Sequence, residues 1–142
     1  MADSARVIGE SVFNIAYLIV IWGIVAAMWR KWPSVKNDDR APAALALAAF
    51  AALALGDTGH VGFRVAAFAM GGLNTTVTLL GTTTNLAALG SLATACTFTV
   101  FYVCFIFVWK ARYSRSLWPA VWAVLGLAVL RSLLMLHPDN NW

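Results

Sequence analysis

The chain has 142 residues, of which 61% are hydrophobic and 11% are charged, and its mean hydropathy is +0.77. Because soluble domains carry roughly 25% charged residues, this composition indicates an integral membrane protein. The length leaves room for about four spans of some 20 residues each, so we expect no separate soluble domain. The net charge of +4 is explained by two basic loops, so it does not indicate a nucleic-acid partner.

Four apolar runs follow one another along the chain, and each is long enough to cross a bilayer. They predict helices at about residues 10–29, 43–70, 86–109 and 117–136, within a single transmembrane domain that covers residues 1–142. The first run has its basic flank after the apolar core, so we interpret it as a mature helix and not as a signal peptide.

The two loops at residues 30–42 and 110–116 are basic, whereas the other ends of the helices carry few charges. The positive-inside rule places both basic loops in the cytoplasm and both termini outside. The sequence therefore predicts an all-α integral membrane four-helix bundle, N-out and C-out, with short cytoplasmic basic loops. We expect a bacterial inner-membrane protein.

The connector between the second and third runs, LNTTVTLLGTTTN, has no charged residue. Its β-branched residues fit a short hairpin, a re-entrant turn or a polar cap on the outer face. Of these three, we favour the polar cap.

The second run contains GDTGHVGFR, in which Asp57, His60 and Arg64 share one helical face within about 60°. Charged side chains inside a bilayer are costly, about 2.5–3.5 kcal/mol each even on lenient scales, so they must be paired, hydrated or functional. Glycines recur every third residue on another face, which predicts close approach of a neighbouring helix. These are Gly56, Gly59 and Gly62.

Other polar residues at overlapping depths predict a chamber in the outer half of the bundle. The first helix contributes Glu10, Asn14 and Tyr17 from one face, so Glu10 could meet Arg64, and Asn14 or Tyr17 could bond Asp57 or His60. Arg131 lies on the fourth helix at the depth of Asp57, which makes an Asp57–Arg131 pair geometrically allowed. The third helix would complete the wall with Ser91, Thr94 and Thr97.

We interpret this chamber as an outward-facing pocket for a small anionic ligand or a lipid headgroup. Arg64 and Arg131 would contact the anion, and Asp57 and His60 would form an acid–base pair. Glu10, Asn14 and Tyr17 would orient the ligand and the pair. Membrane lipids are expected partners, and a homo-oligomer remains open.

Two other classes remain open. In a membrane-embedded hydrolase of a lipid ester or amide, His60 and His137 with Asp57 or Asp139 would hold zinc. A haem is disfavoured because no facing pair of mid-helix histidines exists.

In a structural or assembly subunit, two acids and two cations would balance as an ion-pair network. Whether the chain is an enzyme, and whether it is part of a longer protein, stay open.

Three motifs carry a resemblance: GDTGH with Arg64, TFTVFY, and the final HPDNNW. Together they resemble a group of uncharacterised bacterial multi-spanning membrane proteins with a GD-x-x-H-x-x-x-R helix, which implies a polytopic fold and no particular activity. A second similarity is to membrane hydrolases of the alkaline ceramidase and progestin-receptor type, in which a first-helix Glu and Asn precede zinc-binding Asp and His residues. This chain lacks their HxxxH motif and has fewer spans.

Overall fold

A computed structural model describes residues 2–79, 81–113, 119–135 and 137. Within these ranges the chain is mostly helical; two short 3-10 turns join the first two helices, and a β-hairpin joins the second to the third. The helices are α1 (Ala2–Lys31), α2 (Arg40–Ala69), α3 (Leu86–Tyr113) and α4 (Pro119–Met135), the 3-10 turns are Trp32–Ser34 and Asn37–Asp39, and the strands are β1 (Thr76–Leu79) and β2 (Thr82–Asn85).

Three of the helical segments are long and apolar enough to cross a membrane, namely Val12–Ser34, Asn37–Ala69 and Leu86–Tyr113. With 30 residues, α2 is about 45 Å long at 1.5 Å per residue. The fourth helix has 17 residues, and its apolar part is Val121–Met135. The sequence predicted a fourth span at 117–136, but residues 117, 118 and 136 lie outside the described ranges.

The helices pack mainly with their neighbours in the chain, and α2 against α3 is the most extensive contact. Small residues make this contact close. A Cβ built on Gly56 would lie 1.7 Å from Thr97 Oγ1, and one built on Gly59 would lie 3.5 Å from the Ala93 Cβ. The predicted close approach is therefore found at Gly56 and Gly59. It is not found at Gly62, where a Cβ would meet nothing within 4 Å.

Aromatic rings fill the contact between α2 and α3 toward the end of α2 that carries Arg40. The ring of Phe50 packs edge-on against Phe101 and Phe105, with centroids 5.7 and 6.1 Å apart. Such edge-to-face pairs add to the gain from burying the rings. Nearer the middle of α2, Ile21 of α1 forms a small core with Leu53 and Ala54. This half of the α2–α3 contact is apolar.

One ion pair joins the connector between α1 and α2 to the far end of α3. Arg112 donates to the carboxylate of Asp39, and both side chains are partly exposed. Exposed pairs of this kind contribute little to stability. Their proximity nevertheless places the two basic segments, 30–42 and the end of α3, at the same end of the molecule.

The connector between α2 and α3 is a β-hairpin, so the polar cap that we favoured was the wrong choice among the three alternatives. Strands β1 and β2 pair antiparallel with Thr76 opposite Asn85 and Leu79 opposite Thr82. The turn between them needs a left-handed residue, and Gly81 supplies it with a φ of 83°. A threonine pair across the strands, Thr78 with Thr83, has its hydroxyl oxygens 3.2 Å apart.

The hairpin leads directly into α3 through the side chain of Asn85. Its Oδ1 accepts hydrogen bonds from the backbone N–H groups of Ala87 and Ala88, at 2.8 and 3.2 Å. Its Nδ2 donates to the carbonyl oxygen of Leu73 at 2.7 Å. Asn85 is thus the N-cap of α3 and also ties that helix to the end of the preceding loop.

We expect Asn85→Ala to lower the free energy of unfolding by about 1 kcal/mol, the usual cost of losing an N-cap. Asn85→Asp should lose less stability, because its side chain keeps an acceptor oxygen for the N–H groups of α3 and lacks only the hydrogen bond to Leu73. Thermal or denaturant unfolding in detergent micelles would measure both. Asn74→Ala, an exposed asparagine in the same connector, is the matched control, and an equal loss in that variant would contradict the capping role.

Candidate functional site

Two of the polar contacts between α1 and α2 join residues that the sequence placed in the site. The hydroxyl of Tyr17 donates to Asp57 Oδ2 at 2.8 Å. Arg64 Nη2 lies 3.2 Å from Glu10 Oε2, which forms a salt bridge. Seven residues separate the two contacts on each helix, which is two turns, so one antiparallel register accounts for both.

The same register places Asn14 at the level of His60. Asn14 is four residues after Glu10 and three before Tyr17, and His60 is four before Arg64 and three after Asp57. His60 is partly buried, and its Nδ1 atom is buried with no hydrogen-bond partner among the described residues. Buried polar atoms without a partner are rare in native proteins, so this nitrogen requires an explanation.

Asp57 is the most buried charged residue of the site, with 7% of its surface exposed. Its hydrogen bond comes from a phenol, which is neutral, and within the described ranges no cation reaches its carboxylate. Hydrogen bonds to a charged group are worth about 1.5–3 kcal/mol, but one such bond leaves most of the desolvation cost of a carboxylate uncompensated. The site therefore contains a buried acid that the protein satisfies only in part.

Helix α3 supports the site from the other side. A Cβ on Gly90 would lie 3.0 Å from both the Cα and the carbonyl oxygen of His60, so the absence of a side chain there lets the two backbones meet. The hydroxyl of Thr94 donates to the carbonyl oxygen of Gly56 at 3.1 Å. Thr94 and Thr97 of the predicted third-helix wall lie against Gly56 on α2, and Ser91 is exposed. The hydroxyls of Ser91 and Thr97 bond carbonyl oxygens of α3 itself, so the described contacts do not form the predicted wall of the chamber.

Sequence reasoning missed a hydrogen bond between α1 and α2 and a glycine on α3, both near the site. Trp22 donates from Nε1 to Thr58 Oγ1 at 3.0 Å, and Thr58 in turn donates to the carbonyl oxygen of Ala54 at 2.6 Å. Gly90 was also missed. The signal for it was the spacing of small residues along α3, where Gly90, Ala93, Thr94 and Thr97 recur at intervals that keep them on one face.

Arg131 does not join the other predicted residues. It is exposed on α4, and within the described part of the chain it makes neither a hydrogen bond nor an ion pair. The allowed Asp57–Arg131 pair is therefore not formed, and the carboxylate of Asp57 bonds Tyr17 instead. The reason is helix order, because the main packing partner of α4 is α3 and not α2. The four charged residues of the predicted ion-pair network therefore do not form one network: these are Glu10, Asp57, Arg64 and Arg131.

The described residues of this site form no metal centre with three ligands. Among the described residues, no three His, Cys, Asp or Glu side chains are close enough to hold a metal ion. His60, His137 and Asp57 thus give the zinc hypothesis no geometric support, and Asp139 lies outside the described residues.

A separate groove of about 370 Å³ lies between α3 and α4 and is lined almost entirely by apolar atoms. Its walls include Val103, Leu125 and Ala128, and none of the predicted site residues. The polar site and this groove are therefore distinct features of the molecule.

Comparison with known proteins adds no relative to this description. The chain matches no known family model, no curated protein and no solved structure. The geometry of the site is thus the basis for any functional conclusion.

Proposed function

We propose that this chain is a polytopic inner-membrane protein that binds a small polar ligand at the contact between α1 and α2. The observation that carries the proposal is the buried Nδ1 atom of His60, which has no hydrogen-bond partner in the described part of the chain and lies one helical turn from the buried carboxylate of Asp57. Polar groups that serve only to hold helices together normally bond each other. Partly satisfied groups on one helical face are what a ligand-binding site offers.

The orientation in the membrane is part of the proposal. Basic residues gather at one end of the molecule, and the hairpin at the other end carries no charge. We place the basic loops 30–42 and 110–116 in the cytoplasm and the hairpin outside. Helix α4 is the fourth span, at the short end of the usual length range. The site then lies in the outer half of the protein.

An anionic ligand would have to bind through Arg64. Arg131 is exposed on α4, and Arg64 already pairs with Glu10. The side chains of Arg64 and Glu10 are 31% and 42% exposed, so the pair is open to exchange with an anion or a lipid headgroup. A hydrolase that uses Asp57 and His60 as an acid–base pair is a hypothesis with weaker support. The described residues offer no three-ligand site for a metal that would activate water.

A structural role is the second candidate, and the Tyr17–Asp57 and Glu10–Arg64 contacts favour it. Both tie α1 to α2, and a helix pair held in this way could serve in an assembly with other chains. This role predicts that His60→Ala is silent. The ligand-binding role predicts that His60→Ala leaves folding intact and abolishes binding.

Access of water to the site tests the proposed function. In a background with Cys96 and Cys104 replaced by alanine, both being free thiols, we expect Asn14→Cys to react with a membrane-impermeant thiol reagent added outside intact cells. The reason is that a thiolate forms in water and not in lipid. Phe13→Cys is the matched control, because Phe13 is 70% exposed on the apolar surface of the same helix.

The expected result is labelling of Asn14→Cys at least tenfold faster than Phe13→Cys. Thr78→Cys in the hairpin should label from outside, and Lys36→Cys in the α1–α2 connector only after permeabilisation. Equal, slow labelling of both α1 positions would contradict a water-accessible site. Labelling of Lys36→Cys in intact cells would reverse the orientation.

A further inference from the structure

We infer that the ligand is a small free amine, bound as an ammonium ion by Asp57 and His60. This inference rests on the proposed function, since it names the class of ligand for the same site. It departs from the anionic ligand that the sequence indicated, and three features of the geometry support it.

The first feature is the charge at the α1–α2 contact. Arg64 pairs with Glu10 at 3.2 Å and does not pair with Asp57. Arg131 is exposed on α4 and contributes nothing there. Asp57 is therefore the charge that remains without a partner of opposite sign in the described part of the site. A single uncompensated carboxylate attracts a cation and repels an anion.

The second feature is the set of hydrogen-bonding atoms near that carboxylate. Tyr17 bonds Oδ2 of Asp57, and Oδ1 makes no bond with a described residue. His60 Nδ1 is an acceptor when the ring proton is on Nε2. Asn14, at the level of His60, adds an amide oxygen. An ammonium group has three N–H donors and no acceptor, which matches three acceptor atoms.

The third feature is depth, which separates a free amine from the amine of a lipid headgroup. Asp57 lies twelve residues before the end of α2 at Ala69, about 18 Å along the helix axis. At about 45 Å, α2 is about 15 Å longer than the hydrocarbon core is thick. With that excess shared equally between its two ends, Asp57 lies about 10 Å inside the core, below the headgroup region. We place the entry of a small molecule along the face that carries Arg64 and His60, where the side chains of the Arg64–Glu10 pair are 31% and 42% exposed.

Methylammonium is the probe for the first test, and its binding is measured by equilibrium dialysis of the full chain in detergent. We expect saturable binding that falls at least tenfold in Asp57→Asn, which keeps the shape and removes the charge. Asp38→Asn is the matched control, because Asp38 is an exposed acid in the α1–α2 connector. Unchanged binding in Asp57→Asn would overturn the inference. If that variant does not fold, His60→Ala serves in its place, with the same expected loss.

Two further arms distinguish the possible failures. If inorganic phosphate binds instead of methylammonium, and this binding is lost in Arg64→Gln, the ammonium inference is wrong while the ligand-binding function stands. If Asn14→Cys is also inaccessible to water-soluble reagents, the proposed function itself fails. Methylammonium binding that disappears in nanodiscs containing phosphatidylethanolamine would assign the site to the lipid headgroup and overturn the assignment to a free amine.

Discussion

Gly56→Ala is expected to lower the free energy of unfolding by about 3 kcal/mol, the upper part of the usual range for overpacking. A Cβ at this position would lie 1.7 Å from Thr97 Oγ1 and 2.7 Å from Thr97 Cβ. Real Cβ atoms do not approach other atoms so closely, so α2 and α3 must separate. Because this is the most extensive helix contact in the structure, the loss should be large.

Gly62→Ala is the matched control on the same helix. A Cβ there would meet nothing within 4 Å, and replacing a helical glycine by alanine removes a propensity cost of about 1 kcal/mol. Unfolding of both variants in detergent micelles should show a large loss for Gly56→Ala and none for Gly62→Ala. Equal losses would mean that α2 and α3 do not approach each other at Gly56.

A second variant, on α3, tests whether the new methyl group at position 56 meets Thr97 directly. Thr97→Ala removes Oγ1 and Cγ2, the two Thr97 atoms beyond Cβ that the new methyl group would meet. It costs no bond between helices, because the Thr97 hydroxyl donates to carbonyl oxygens of its own helix. The double variant should therefore be more stable than the sum of the two single losses predicts, which is the mark of a direct contact.

Tyr17→Phe is expected to lower the free energy of unfolding by about 2 kcal/mol, because it leaves the buried carboxylate of Asp57 without its donor. The hydrogen bond is 2.8 Å long, and Asp57 is 7% exposed. In an Asp57→Leu background the same change should cost little, since no acceptor is then left unpaired. A double-mutant cycle in detergent measures this coupling.

Tyr102→Phe is the control for this cycle. Tyr102 is 54% exposed on α3, and its hydroxyl makes no hydrogen bond with the described residues. Its loss should change stability by less than about 0.5 kcal/mol, as for most surface substitutions. A Tyr17→Phe effect of the same small size, with no dependence on Asp57, would show that the bond does not hold α1 to α2.

The two faces that form the site could be read from the sequence, because helical periodicity sets which residues share a face. Glu10, Asn14 and Tyr17 lie on one face of α1, and Asp57 and Arg64 on one face of α2. The Glu10–Arg64 contact in particular was anticipated from depth and charge, and it is present. Chemical roles for these residues stay predictions.

Glycine spacing was a weaker guide. Residues three apart on a helix are rotated by about 60° with each step, so a row of them drifts off any one face. Gly56 and Gly59 accordingly face α3, and Gly62 has turned away from it. The β-hairpin was ambiguous for a similar reason. An uncharged, threonine-rich segment suits several conformations, and strand pairing across Gly81 depends on contacts that the local sequence does not specify.

Local periodicity, hydropathy and charge in the amino acids were enough to establish apolar helices, their order and the polar faces of α1 and α2, because each of these depends on neighbours within a few turns. Which face meets which helix depends on contacts between distant residues. The tertiary structure therefore determines that Asp57 bonds Tyr17 and not Arg131, because α4 packs on α3 and Arg131 is exposed. Because of that one difference in helix adjacency, the Asp57 carboxylate has no cation beside it among the described residues, which changes the expected charge of the proposed ligand.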